Sequence, residues 1–531
     1  MTTTIGFIGG AARRPCRYRR RPRRGRRFLH VLPVLVTFLC GGCATLPDLA
    51  EPQPSYAAPR AETGLLADTG ARIEASLTGQ ESAYWLLDNN ADALLVRIAL
   101  ADLATETLDI QYFIWQDDMT GRLLMQHVLA AADRGVRVRF FVDDLTLAGR
   151  DEEIAGLDAH PFVDVRVFNP WTRRSSLLRP LQFVFRSRLL NHRMHNKIFV
   201  ADGWFGILGG RNIGDRYFGV YDRFVQNDVD VMIAGPLLRD MIRSFDDYWN
   251  SELSFPVFWR DGRASELLGQ LRNVSAAAVE AYAPLLSAFT PPEDRWRSYF
   301  ADFTASPTRG PGELLLDSPN VHVELPVQLY ARFREVLASA ETEVVLSSPY
   351  LIPDREFVAD LAKLVGRGVD VRIVTNSLAS NSHIIAHSAY KKWRRALLAT
   401  GAEIYEMRAN AEVLEYFTTP PAEPDSLALH TKAFVVDRRR VFIGSPNVDP
   451  RSMILNTEIG LVADDPGLAS EMLEILNRDM LPENAWRVTM DPEGWLEWSA
   501  GEETRSRQPA AGFGQRVIEF FMNLIPIKKQ A

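Results

Sequence analysis

The chain has 531 residues, 47% hydrophobic and 24% charged, which is room for two or three ordinary domains with a substantial core. The first 42 residues hold ten Arg and no acid, leaving 50 basic against 67 acidic residues, a net charge of −17 where the whole chain shows −7. An acidic body argues against a dedicated nucleic-acid binder, and with Cys16, Cys40 and Cys43 all near the start the body has neither disulfide nor thiol chemistry.

In chain order, an Arg-rich stretch ending at Arg27 precedes the apolar run 28–39, which is too short to span a membrane and suits a signal segment. Gly41-Gly42-Cys43 follows. Small residues directly before a Cys resemble a bacterial lipoprotein processing site, with Cys43 as the lipidated residue and Cys40, three positions earlier, as a departure from the pattern. Residues 1–43 are thus expected to direct the chain to the cell envelope, anchored to a membrane. The prolines of 44–75 predict a tether.

The globular pattern starts near Ser76. A helix is predicted from Ala91 to Thr105, a strand from Leu108 to Trp115, a helix from Gly121 to Arg134 and a strand from Val136 to Val142. That is a βαβ unit with parallel strands. The same order returns with a strand from Glu343 to Ser347, a helix from Glu356 to Gly366 and a strand from Val369 to Thr375. A further helix runs from Ser388 to Thr400. The period of about 235 residues is too long for a solenoid and suits duplicated domains. The predicted organisation is one domain at 76–251, a linker with short helices at 252–325, a second domain at 326–490 and a tail at 491–531. An apolar stripe from Gly512 to Ile527 predicts a helix in that tail.

The chemistry lies in one pattern that occurs twice. His195-Asn196-Lys197 leads to Asp202, and His430-Thr431-Lys432 leads to Asp437, each reading His-x-Lys-x4-Asp. In both copies an Asn lies 17 residues beyond the His, Asn212 after Gly209-Gly210-Arg211 and Asn447 after Gly444-Ser445-Pro446. The apolar runs 198–200 and 433–436 make each motif a strand, so His and Lys, two apart, share a face. Asp202-Gly203 is a turn signal, which places Asp202 away from its own His in a supporting role. The returning strand, 204–208, delivers Gly210 and Asn212 to the end of the sheet where the His lies. Small residues there let backbone N–H groups approach an anion. Each His also needs an acceptor on its other nitrogen. Asp228 and Glu458, which align by eye in Asn227-Asp228-Val229 and Thr457-Glu458-Ile459, are the candidates, with Asp230 as rival in the first half.

These motifs resemble the phospholipase D superfamily. Leu108 to Tyr112, Arg193 to Lys197, Gly209 to Asp215 and Asn447 to Ser452 resemble bacterial cardiolipin synthases of the C type. The resemblance implies an α/β fold: two duplicated domains, each a mixed sheet flanked by helices, sharing one cleft, with no metal and no cofactor. It assigns catalysis to the motif residues His195, Lys197, Asp202, His430, Lys432 and Asp437, with one His as nucleophile and the other as acid, and it favours His195 for the attack. The lysines would grip phosphate oxygens, with Asn212, Asn447, Gly210 and Ser445 as neutral substrate contacts. The expected reaction is phosphatidyl transfer to phosphatidylglycerol from a second phospholipid, with phosphatidylethanolamine a candidate donor, at a membrane surface. Hydrolysis to phosphatidic acid is the alternative, and nucleic acid is the disfavoured substrate.

Overall fold

The computed structural model describes residues 53–171, 191–257, 263–290, 295–320, 328–381, 383–510, 512 and 515–516. Cys43 and nearly all of the expected tail helix lie outside the described residues. No helix among those described is long and apolar enough to cross a membrane.

The first half contributes β1 (Glu81–Leu87), β2 (Thr107–Tyr112), β3 (Arg137–Asp143), β4 (Val163–Phe168), β5 (Arg193–Met194), β6 (Ile198–Ala201), β7 (Phe205–Gly209), β8 (Val225–Asn227), β9 (Asp230–Ala234) and β10 (Ser254–Pro256). The second half contributes β11 (Thr308–Leu316), β12 (Glu343–Ser347), β13 (Asp370–Asn376), β14 (Glu403–Met407), β15 (Leu427–Leu429), β16 (Ala433–Val436), β17 (Arg440–Gly444), β18 (Asn456–Thr457) and β19 (Ile459–Asp464). Then come β20 (Ala485–Met490), β21 (Leu496–Ala500) and β22 (Glu503–Arg505).

Each half builds a mixed sheet on one plan. In the first the order is β4-β3-β2-β6-β7-β9, parallel through β2 and antiparallel after it. In the second β14-β13-β12-β16-β17-β19 repeats that order and those directions. The repeat detected in the sequence is therefore a repeat of topology.

Both faces of each sheet are covered, which is why the strands read as apolar runs rather than as alternation. On β6, Phe199 and Ala201 join the outer core of the first half, while Ile198 and Val200 face inward. On β16, Phe434 and Val436 face outward, while Ala433 and Val435 face inward. The inward residues of the two halves meet in one shared core, closed by helices Leu238–Trp249 and Pro466–Asp479.

Three stretches differ from the sequence expectation. Residues 53–75 are part of the body: helix Leu65–Glu74 buries Leu66 and Ile73, and the Ala57 N–H donates to Asp246 at 3.1 Å. The stretch 252–325 holds the 18-residue helix Ala264–Ala281 and the strand β11. The first four residues of β11 pair with β1 in one sheet and the next five with β19 in the other, so this strand joins the two sheets. Gly310, Pro311 and Gly312 disguised it as a loop. The glycines are needed because a Cβ at Gly310 would meet the Asp464 carbonyl at 2.5 Å, and one at Gly312 the Tyr84 hydroxyl at 2.5 Å. Finally, β21 and β22 extend the second sheet past residue 490.

Asp202 and Asp437 sit in the turns after β6 and β16 with φ of 52° and 53°. The Asp202 carboxylate accepts the N–H groups of Thr105, Glu106 and Thr107 and the Thr105 hydroxyl. Asp437 does the same for Glu341, Thr342 and Glu343 and the Thr342 hydroxyl. Each lies seven residues from its His, about 20 Å along an extended chain. The motif Asp grouped with the catalytic residues thus fixes the start of β2 or β12 and touches no reacting atom. Asp202→Ala should cost about 3 kcal/mol of stability, because it strands the buried Thr107 N–H and the part-buried donors of Thr105 and Glu106. Asp437→Ala should cost less, since its turn is partly open to water. Urea unfolding measures both; equal and negligible losses would contradict the role.

Candidate active site

The lead-in to each motif His is a short strand, and each pairs with the opposite half. β5 pairs in parallel with β18, Arg193 opposite Asn456 and Met194 opposite Thr457. β15 pairs in parallel with β8, Leu429 opposite Asn227. The ladders run on into the site: the His195 N–H donates to the Thr457 carbonyl at 2.9 Å, and the His430 N–H to the Asn227 carbonyl at 2.7 Å. The residue after β18 is Glu458 and the residue after β8 is Asp228.

The carboxylates therefore serve the histidines crosswise. His195 Nδ1 lies 2.7 Å from Glu458 Oε2, and His430 Nδ1 lies 2.5 Å from Asp228 Oδ2. Asp230, the rival, instead takes Arg97 and Arg211 at 2.7 and 2.9 Å. A proton on each Nδ1, donated to the carboxylate, leaves Nε2 with its lone pair. Lys432 Nζ is 2.9 Å from His430 Nδ1, but that nitrogen cannot accept from Lys432 while donating to Asp228. The shorter, charge-assisted bond takes the proton. Aromatic edges fix the rings further: Phe113 stands against His195 at 4.9 Å and Tyr217 against His430 at 5.5 Å.

Lys197 and Lys432 are buried beside the histidines, each donating to the carbonyl of its own motif His. Burial pushes Lys197 down to about 7, against the pull of Glu458, and also lowers Lys432, against the pull of Asp228 and Glu458. Burial likewise takes His195 down to about 4, against the pull of Glu458, and His430 to about 3, with Lys432 acting in the same direction. Burial alone would raise the two acids. Lys432 and His430 hold Asp228 below its ordinary range, and His195 and Lys197 do so for Glu458. With Lys197 protonated, below neutral pH, the arrangement is a buried, balanced set of two cations, two anions and two neutral imidazoles.

The expected neutral contacts fall elsewhere. A Cβ at Gly210 would lie 2.4 Å from Asp228 Oδ1, so this glycine makes room for the protein's own carboxylate. At the matching place in the second half the Ser445 hydroxyl donates to Glu458. Asn212 accepts the Ile114 N–H at 3.2 Å and donates to the Tyr217 hydroxyl at 3.1 Å, which leaves one amide N–H uncommitted. Asn447 Oδ1 is buried without a hydrogen-bond partner among the described residues. Sequence reading named both carboxylates but not their crossing, and it missed Phe113, Tyr217 and the bridging side chains Asn196 and Thr431. Asn196 accepts from Thr457 at 3.0 Å and Thr431 donates to Asn227 at 2.8 Å, both across the domain boundary. Their place between His and Lys in the two motifs was the available signal.

The family model for the PLD-like domain of cardiolipin synthase matches residues 98–249 and 333–480. Cardiolipin synthase C of Escherichia coli is 35% identical over 474 residues, covering 83% of this chain and 94% of that one. An uncharacterised Helicobacter pylori protein is 27% identical across 94% of this chain and 99% of its own length, and a Pseudomonas putida cardiolipin synthase A is 28% identical across 79% and 77%. The crystal structure of a Haemophilus influenzae phosphatidylserine synthase shares the fold, with a TM-score of 0.53 and 15% identity over 80% of this chain and 93% of that one. The chain belongs to the PLD-like cardiolipin synthase family, an enzyme family with this domain in two copies.

In the substrate-free protein both histidines should stay neutral down to pH 5, because burial favours the uncharged ring. Glu458→Gln removes the anion that raises His195, so the His195 pKa should fall further. Turnover should drop roughly 10²-fold or more. Histidine-ring NMR titration and initial rates check both; a ring titrating near 6.5, or unchanged turnover, would contradict the geometry.

Proposed function

We propose that this protein is a phosphatidyltransferase that makes cardiolipin from phosphatidylglycerol and a second phospholipid. The crosswise pairs His195–Glu458 and His430–Asp228, with one lysine each in the same buried cluster, carry this reading. The likeness to cardiolipin synthase C over nearly its whole length supports the choice of lipid.

The chemistry follows from the free Nε2 atoms. A bound phosphodiester brings one negative charge into the cluster and favours a protonated His430. His195 Nε2 attacks phosphorus, forming an N–P bond as the P–O bond to the headgroup breaks. His430 gives its Nε2 proton to the departing oxygen. The acceptor hydroxyl then enters, returns a proton to His430 and attacks phosphorus, and the N–P bond breaks. Lys197 and Lys432 stabilise the charge on the non-bridging oxygens throughout. Glycerol leaves if the donor is phosphatidylglycerol, and ethanolamine if it is phosphatidylethanolamine.

Residues 1–43 suit delivery to the bacterial cell envelope. Cys43, behind Gly41-Gly42, suits lipid attachment there. Cys43→Ser should abolish incorporation of labelled palmitate; unchanged labelling would place the acyl chain on another residue, and an unlabelled wild type would assign the anchor to the apolar run 28–39 instead.

Full-length protein mixed with phosphatidylglycerol vesicles, with and without phosphatidylethanolamine, should yield cardiolipin as the main product. His195→Asn and His430→Asn should each lose at least roughly 10²-fold in rate. Phosphatidic acid as sole product would make water the acceptor and overturn the transferase reading.

A further inference from the structure

Asp317 follows the last residue of β11, the strand that joins the two sheets, and none of the motifs includes it. It grips Glu458 through both main-chain groups of that residue. Asp317 Oδ2 accepts the Glu458 N–H at 3.1 Å, and the Asp317 N–H donates to the Glu458 carbonyl at 3.2 Å. The Asp317 carbonyl is itself held by the Tyr248 hydroxyl at 2.8 Å. The acid that pairs with His195 is therefore clamped by a second acid.

The opposite side is built differently. The Asp228 carbonyl accepts from the Arg211 guanidinium, and the Asp228 carboxylate takes its neighbouring N–H from Val229 at 3.0 Å. Arg211 shares Asp230 with Arg97, so two guanidiniums face one carboxylate and a net positive charge is buried beside Asp228. The two histidine–carboxylate pairs match in geometry. Their surroundings carry opposite charge.

We infer that Asp317 is a positioning residue for His195, acting through Glu458, and that with Arg211 on the other side it makes the two histidines unequal and so assigns the attack to His195. This rests on the phosphohistidine chemistry proposed above. A phosphorylated His195 that keeps its Nδ1 proton is a cation, and a negative charge behind Glu458 stabilises it. A positive charge behind Asp228 weakens its hold on a protonated His430, which makes that ring the better proton donor.

Asp317 can change charge in the working range, since burial and then Glu458 push it up to about 7. It lines a cavity of about 570 Å³ with Asp246, Asp247, Tyr248 and Glu252, and His192 reaches the carbonyl of nearby Pro319 at 3.4 Å. Asp449, Lys197 and Arg451 act on Glu458 from its other side. Below pH 7 Asp317 is neutral; above it, the carboxylate strengthens the His195 side. Lys197 loses its proton over the same range in wild type and variant alike, so the effect of Asp317 is the ratio of wild-type to Asp317→Asn activity, which should rise through neutrality by about tenfold, the equivalent of one pKa unit on the nucleophile.

The test compares full-length wild type with Asp317→Asn, whose side-chain oxygen still accepts the Glu458 N–H. Total phosphatidylglycerol consumption in detergent micelles is followed from pH 5 to 9, and enzyme quenched in alkaline denaturant, where the N–P bond survives, is mapped for phosphohistidine. The ratio of wild-type to variant rate should step up near pH 7, with phosphate on His195 in the wild type. Below the step the two rates should converge. Superimposable profiles, a slower variant with an unchanged profile, or phosphate on His430 would overturn the inference. If the wild type consumes no phosphatidylglycerol, the lipid reading fails instead. The same two profiles on bis(p-nitrophenyl) phosphate then decide Asp317 separately.

Discussion

Everything in the cleft depends on two short parallel pairings that cross the domain boundary, β5 with β18 and β8 with β15. Each is only two or three residues long, and an isolated two-stranded ribbon of that size has no stability of its own in water. Their register is imposed from outside, by the apolar core both halves share and by β11, which belongs to both sheets. A slip of one residue on either ladder would turn Glu458 or Asp228 to the other face of its strand and leave a buried histidine without its partner. Neither half can make a working site alone, because each supplies the histidine of one pair and the acid of the other.

The second constraint is charge. Lys197, Lys432, Asp228 and Glu458 are buried close together, and ionised groups in such a place must balance or titrate. With both imidazoles neutral the set sums to zero. A phosphodiester adds one negative charge and a protonated histidine restores the balance, so substrate binding and arming of the acid are one event. In the proposed chemistry this reconciles the lowering of both histidines by burial with the use of His430 as the acid, because the charge of the bound phosphodiester raises it.

Much of this was legible in the chain. The doubled His-x-Lys-x4-Asp spacing, the βαβ units at Leu108–Val142 and Glu343–Thr375, and the two carboxylates all follow from periodicity and residue type. Local patterns also placed Asp202 in its turn. What failed was whatever depends on partners distant in sequence. Gly310-Pro311-Gly312 carries the composition of a loop, and only the Asp464 carbonyl and the Tyr84 hydroxyl show why a strand needs small residues there. Gly210 looked like an opening for an anionic ligand, and the anion is Asp228, eighteen residues on. Pro54 and Pro59 signal an extended chain equally well whether it hangs free or lies along Asp246 and Asn250, as Ser55 and Ala57 do.

Duplication poses a problem that the fold must then solve. Two copies of one motif produce two equivalent histidines, while a displacement at phosphorus needs a nucleophile and an acid that differ. The motif residues themselves remain alike, and the differences fall one layer out. Gly210 faces Ser445 across the pseudo-twofold, Arg211 faces Pro446, Asp230 faces Gly460, and the acids are Asp228 and Glu458. None of these changes the position of an Nε2 atom, since the rings are set by the crossed ladders and by the Phe113 and Tyr217 edges. They change instead the charge and hydrogen bonding behind each carboxylate, which in a dry site acts on the ring over several ångströms with little screening. Under the proposed chemistry, symmetric geometry with asymmetric surroundings would let both histidines reach the same phosphorus while giving them different work.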